Sequence, residues 1–299
     1  MENWNLKKKE KRTIVIGAAV LIVLLSVAFI VGYIVKIRID ERIWEEEQQE
    51  QLWEKQRLEA ELERQRVEAE RLKEEQQKEL AAKERDELLY REIDWEMLQQ
   101  KNADIYAWIS IPELAIDYPV LQGSKDDFYL NHDENGNKLL QGSIYSNSCT
   151  NKDFSDTNTI LYGHNMKDGS MFGNLSDAAG TNLAEEALIC VYTKETTYVY
   201  QMIALVEFGD GYLPDLYGIR NEKGTRAFLT AVEKSPAWFL RDKEIPEEEE
   251  LHLLTLSTCT GAKGEKRCLL VAQRTGQYPR NRKDNRGSFT FLGVRDKIT

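Results

Sequence analysis

The sequence predicts a mainly β domain held behind a transmembrane helix and a long helical stalk. Three observations lead there. Thr13 to Val35 carries no charge and is rich in Ile, Val, Leu and Ala. Between Gly32 and Pro112 there is neither glycine nor proline, and Asp40 to about Tyr90 is mostly Glu, Gln, Lys, Arg, Leu and Ala. Beyond Ile93 the composition changes, and short β-branched and aromatic runs alternate with turn-forming clusters.

Residues 1–12 form a basic N-terminus with Lys7, Lys8, Lys9, Lys11 and Arg12. Residues 13–35 would make a helix of roughly 34 Å, enough to cross a bilayer core. The basic cluster puts the N-terminus in the cytoplasm and everything after residue 36 outside, as a single pass in the cell membrane. A cleaved signal peptide is the rival reading. Its apolar region would be shorter and end in small residues, whereas this one ends Gly32-Tyr33-Ile34-Val35-Lys36.

Residues 36–90 read as a charged helical stalk, because strong helix formers dominate. Side-chain pairing adds little: Glu61–Gln65 is offset by the like-charged Glu59–Glu63 and Glu70–Glu74. Leu52, Leu58, Leu62, Val67, Leu72, Leu80 and Leu88 do not sustain a heptad. The reading is a solvated stalk, with a self-associating coiled coil as the alternative.

Residues 91–275 hold the globular domain. Strands are expected at Tyr106–Ile111, Ile116–Leu121, Gly142–Ser146, Asn158–Gly163, Ala187–Thr193, Thr197–Phe208, Leu251–Thr258 and Arg267–Arg274. Turn signals such as Asp133-Glu134-Asn135-Gly136 and Asp168-Gly169 separate them. Helices are expected at Ile93–Lys101, opening at Asp94, and from about Glu222 to Ser235. Many short strands with long returns suggest an antiparallel sandwich or a closed barrel. Residues 276–299 form a basic tail with Arg280, Arg282, Lys283, Arg286, Arg295 and Lys297, read as solvated.

A net charge of −11 over 299 residues gives no reason to expect nucleic acid as a partner. Four cysteines are too few for a disulfide scaffold, and nothing in the spacing favours a Cys149–Cys190 bridge. No C-x-x-C pair or acidic cluster suggests a metal, and no cofactor is expected.

The candidate chemistry starts at Cys259, which ends the run Leu254-Thr255-Leu256-Ser257-Thr258-Cys259. Arg267 opens the next apolar run, and Ile160-Leu161-Tyr162-Gly163 leads into His164. A thiol, an imidazole and a guanidinium at strand ends suit acyl transfer: nucleophile, proton carrier and oxyanion donor. His252 is too far along the Cys259 strand, about 23 Å at ~3.3 Å per residue. His132 lies in a polar turn. Taken singly, Cys259 could be an inert buried thiol, Arg267 a solvated strand-start residue and His164 a surface loop histidine.

Longer strings narrow the choice. Thr255-Leu256-Ser257-Thr258-Cys259, followed by Arg267 and Leu269-Leu270-Val271, resembles the active-site signature of sortases, membrane-anchored cysteine transpeptidases of Gram-positive bacteria. Asn158 through Phe172, with Tyr162-Gly163-His164-Asn165 at its centre, resembles the histidine segment of class B sortases. Trp108-Ile109-Ser110-Ile111-Pro112, Ile116-Asp117-Tyr118-Pro119-Val120, Phe128-Tyr129-Leu130-Asn131-His132-Asp133 and Gly142-Ser143-Ile144-Tyr145 follow in that class's order.

The resemblance implies a closed eight-stranded β-barrel with peripheral helices. It implies Cys259 as nucleophile, His164 as general acid/base, and Arg267 as oxyanion and substrate-positioning group. It also assigns Ser257 and Leu130, with Thr258, to the peptide groove, and specificity to the Gly209–Ile219 region. The implied partners are secreted proteins bearing a sorting motif and a peptide amine of the cell-wall precursor or peptidoglycan. The implied reaction is thiol-protease chemistry ending in transfer to an amine. The alternatives are a pilin-polymerising sortase, a cysteine peptidase using water, and an inactive tethered interaction protein. The stalk is longer than the family's usual spacer.

Overall fold

The computed structural model describes residues 2–185, 187–218, 220–242, 245, 250–260 and 266–280, with backbone alone at 2–12 and 14. The chain forms two compact units, Met1–Ala82 and Lys83–Thr299.

The first unit is helical, within α1 (Glu2–Leu89). The helix is unbroken between residues 35 and 36, so span and stalk differ in composition rather than backbone. The helix is long and apolar enough near the N-terminus to cross a membrane. Its apolar side chains from Val15 to Val35 are exposed, Phe29 most of all. Along the stalk the charges pair as Lys55–Glu59, Glu63–Arg66, Glu68–Arg71 and Glu74–Lys78. These i,i+3 and i,i+4 pairs are not those expected from the sequence. All are solvated, so solvent screening leaves each with little effect on stability.

The second unit is a closed barrel. Its strands are β1 (Ile105–Ile111), β2 (Ile116–Leu121), β3 (Ile144–Tyr145), β4 (Asn158–Tyr162), β5 (Ile189–Tyr192), β6 (Thr196–Gly209), β7 (Ala237–Leu240), β8 (Leu253–Thr260) and β9 (Lys266–Pro279). Neighbours run β5-β1-β2-β3-β4-β8-β9-β6, and β6 pairs back to β5. Eight strands therefore close the ring, and β7 hangs outside on β6. The pairings β2–β3 and β4–β8 are parallel. The antiparallel expectation is corrected at those two places, where long connections return the chain in the same direction.

Most expected strands appear with shifted ends, and Ile116–Leu121 keeps its bounds. β7 was not anticipated: it is four residues after Pro236 with an exposed Trp238, too short to show a period. β9 runs past Gly276 to Pro279. Arg280 then donates to the Arg91 carbonyl at 2.6 Å and lies over the Tyr192 ring. The first residues of the expected tail thus belong to the barrel; Arg282, Lys283, Arg286, Arg295 and Lys297 lie outside the described residues.

Helix starts follow capping chemistry. Asp94 accepts from the Met97 N–H at 2.9 Å and opens α2 (Trp95–Lys101). A short helix, α3 (Leu213–Tyr217), lies in the connection after β6. Asn221 accepts from Gly224 N–H at 3.0 Å and opens α4 (Glu222–Glu233). Thr225, Phe228 and Val232 share the buried face of α4.

Packing separates the two faces of the barrel wall. Leu161, Leu254, Leu256, Cys268 and Leu270 point into the central core. Ile160, Leu253, Leu269 and Val271 point outward, where Phe228 and Val232 of α4 cover them. Burying each such side chain contributes about 1.5–3 kcal/mol. A third cluster joins Leu89, Trp95, Leu98, Ile105 and Tyr192. There the last α1 carbonyls, at Leu88 and Leu89, accept from Tyr192 Oη and Thr197 Oγ1 at 2.7 and 2.9 Å.

Candidate active site

Strand register assembles the three candidate residues. β8 pairs antiparallel with β9, and Cys259 faces Arg267 directly. On its other side β8 runs parallel to β4, with Tyr162 opposite Ser257. The Gly163 N–H donates to the Ser257 carbonyl at 3.2 Å, carrying that pairing beyond the strand end. The same offset brings His164 to the level of Cys259. Three adjacent segments of the sheet, spaced about 4.8 Å apart, therefore present imidazole, thiol and guanidinium in one row.

Alternation sets the face. Leu254 and Leu256 point into the barrel, so Leu253, Thr255, Ser257 and Cys259 point out. Cys268 and Leu270 point in, so Arg267 shares the outer face with Cys259. Arg267 Nη1 donates to Cys259 Sγ. Cys259 is half-buried. Burial pushes the thiols of Cys190 and Cys268 up to about 12, which keeps them protonated and inert. All four cysteines are free, so Cys149 and Cys190 are unbridged.

The loop carrying His164 is fastened at several points. His164 Nε2 lies 2.7 Å from the Leu130 carbonyl rather than on the thiol. Asn165 Nδ2 donates to the Cys259 carbonyl at 2.8 Å, tying this loop to the nucleophile's backbone. Phe172 N–H closes the loop onto the His164 carbonyl at 3.0 Å. Gly163 is required here because a Cβ would stand 2.5 Å from Ile144 Cδ1 and 2.8 Å from the Phe172 ring.

An aromatic wall borders the row. The rings of Tyr145 and Tyr162 stack at 5.5 Å. Burial, aided by Asp127 and Cys259 and opposed by Arg267, pushes the Tyr145 hydroxyl up to about 12. Asn147 Nδ2 donates to Tyr212 Oη at 2.9 Å, joining the connection after β6 to this wall.

The expected groove residues separate. Ser257 shares the outer face with Cys259 but is only 4% exposed. The Leu130 side chain is 40% exposed. Thr258 is 2% exposed and turns into the barrel with Oγ1 unpartnered, so its side chain does not join the row. His252 lies just before β8, near Glu250 and Arg274, and burial followed by Arg274 lowers its pKa. His132 stacks on Phe128 and its Nδ1 lies 2.7 Å from the Phe128 carbonyl. Among the described residues no group of three or more His, Cys, Asp or Glu is placed to hold a metal.

Sequence reasoning missed Asn165, Tyr145 and the Leu130 carbonyl. Asn165 was visible inside the histidine string, but its role follows only from the parallel register of β4 and β8.

A sortase domain is matched over residues 109–275, more than half of the chain. Sortase B of Listeria monocytogenes is 32% identical over 178 residues, 59% of this chain and 71% of the relative. Sortase B of Staphylococcus aureus is 29% identical over 184 residues, 60% of this chain and 73% of the relative. The solved Staphylococcus aureus sortase B-substrate complex superposes with a TM-score of 0.51 at 28% identity, covering 60% of this chain and 83% of that one. Domain match, relatives and barrel agree: the chain belongs to the sortase family of cysteine transpeptidases, and within it to class B.

Proposed function

We propose that the chain is a membrane-anchored sortase that cuts a C-terminal sorting motif in secreted proteins and joins the new carboxyl end to a cell-wall peptide amine. The observation that carries this is the row of His164, Cys259 and Arg267 on three neighbouring segments of the barrel wall, with Arg267 on the sulfur.

Cys259 Sγ attacks the carbonyl of the scissile peptide bond, and Arg267 steadies the oxyanion with its fixed charge. His164 protonates the departing amine nitrogen as the C–N bond breaks, leaving a thioester. An incoming amine then attacks the thioester, His164 takes its proton, and the thiolate leaves. The partly exposed row beside the Tyr145–Tyr162 wall and Leu130 suits an extended peptide laid along the outer face. The Lys7–Arg12 cluster before the apolar helix supports an inward N-terminus and an outward catalytic domain.

The test is product analysis of the full-length protein in detergent with Asn-Pro-x-Thr and related peptides, with and without oligoglycine or a wall-type stem peptide. Amine-dependent ligation supports the proposal. Cleavage at an unchanged rate and without ligation at every amine concentration would instead make the enzyme a peptidase.

A further inference from the structure

The imidazole of His164 is held by a backbone oxygen. Its Nε2 lies 2.7 Å from the Leu130 carbonyl, and Nδ1 has no hydrogen-bond partner among the described residues. A carbonyl oxygen can only accept, so this bond requires a proton on Nε2.

The position of that carbonyl is itself constrained. Leu130 ends a 3-10 turn, Phe128–Leu130. Ser143 N–H donates to the Tyr129 carbonyl at 3.0 Å, and Leu139 N–H to the Asn131 carbonyl at 2.9 Å. Gly142 packs straight onto the turn with φ +57°, and a Cβ there would stand 2.5 Å from the carbonyl oxygens of both Leu130 and Tyr129. Only glycine lets residue 142 adopt that conformation at that distance.

We propose that the Leu130 carbonyl orients His164 in the Nε2–H tautomer, that Nδ1 is therefore the atom that moves protons, and that Gly142 is the positioning residue that keeps the carbonyl in place. This rests on the acid/base role assigned to His164 above. In the first half-reaction the Nδ1 lone pair takes the Cys259 thiol proton and delivers it to the amine nitrogen as the S–C bond forms and the C–N bond breaks. In the second, the Nδ1 lone pair takes a proton from the incoming amine as the new N–C bond forms and the S–C bond breaks. The Nε2 proton stays on Nε2 throughout, donated to the Leu130 oxygen. The carbonyl does the orienting work that a carboxylate does in a Ser-His-Asp arrangement, without adding a charge.

The test uses full-length protein in detergent micelles with 15N-labelled histidine, at a pH where the His164 ring is neutral. Long-range 1H–15N correlations report which ring nitrogen carries the proton, and loss of signals in His164→Gln identifies the residue. The expected result is the Nε2–H tautomer; the Nδ1–H tautomer, or an averaged mixture, overturns the proposal. A second variant replaces Asn131 by its α-hydroxy acid, which turns the Leu130 carbonyl into a weaker-accepting ester. The Asn131 N–H donates no hydrogen bond among the described residues, so little else is lost. The variant should lose tautomer preference and fall on the order of 10²-fold in kcat, the low end for a positioned acid/base, with KM for the peptide little changed. Gly142→Ala should do the same, with thermal melting reporting any misfolding. An ester variant with unchanged tautomer and kcat removes the orienting role. If His164→Ala keeps full activity, the acid/base reading fails instead, whatever the tautomer.

Discussion

Replacing Arg267 by lysine keeps the charge and removes the fork. Arg267 faces Cys259 across β8 and β9, so the Cβ atoms lie about 4.5–5.5 Å apart. Nη1 meets Sγ, and the remaining guanidinium N–H groups have no protein partner among the described residues. They are the donors left for a substrate oxyanion. Lysine offers one compact ammonium, which can meet either the sulfur or the oxyanion. Losing one oxyanion donor costs roughly 10²–10³ in kcat, about 2.7–4 kcal/mol. Folding should change by less than about 0.5 kcal/mol, because the substitution is partly solvated and breaks no core contact. Single-turnover acylation followed by intact mass gives the rate, and thermal melting gives the stability. A rate within tenfold of the parent, about 1.4 kcal/mol, refutes the oxyanion role.

Three further outcomes follow from packing and titration. Gly163→Ala should destabilise the domain by about 1–3 kcal/mol, read by denaturant melting, since its Cβ meets Ile144 and Phe172; unchanged stability means that the approach is looser than described. A neutral alkylating reagent at pH 7 should label Cys259 and the partly exposed Cys149, but Cys190 and Cys268 only after denaturation, because burial raises their thiols to about 12. Peptide mapping that finds Cys268 labelled first would contradict this. His252 has a lowered pKa, so the unfolded chain binds its proton more tightly than the folded one. Stability should therefore fall as pH drops through 6.5 towards the folded value, and His252→Gln should recover part of that fall while ligation at neutral pH is kept. An unchanged acid limb in the variant would remove His252 as its source.

What could be read in the sequence was mostly local. Asp94 announced its helix through a side chain that satisfies an orphan N–H group, whereas the second helix was read only as starting near Glu222 and its Asn221 cap came from the structure. Ile116–Leu121 kept its bounds because Ala115, in the left-handed region at φ 52°, and Gln122 frame it. The row of His164, Cys259 and Arg267 was legible as residue types at strand ends. What brings them together was not. It needs the parallel β4–β8 register, set by contacts between segments far apart in the chain. Period-2 alternation also could not show that β3 shrinks to Ile144–Tyr145 or that β7 exists, because each is too short to reveal a period. Backbone acceptors such as the Leu130 carbonyl leave no mark in side-chain identity at all.

The central claim is that the acyl group passes through Cys259. The direct measurement is intact mass with peptide mapping of the full-length protein in detergent, incubated with sorting-motif peptides, for the parent and Cys259→Ala. The account predicts a thioester adduct on Cys259 that disappears when an amine is added and ligated product appears, and neither adduct nor product in Cys259→Ala. Ligated product from Cys259→Ala, or a parent adduct mapping to Cys149, would contradict it.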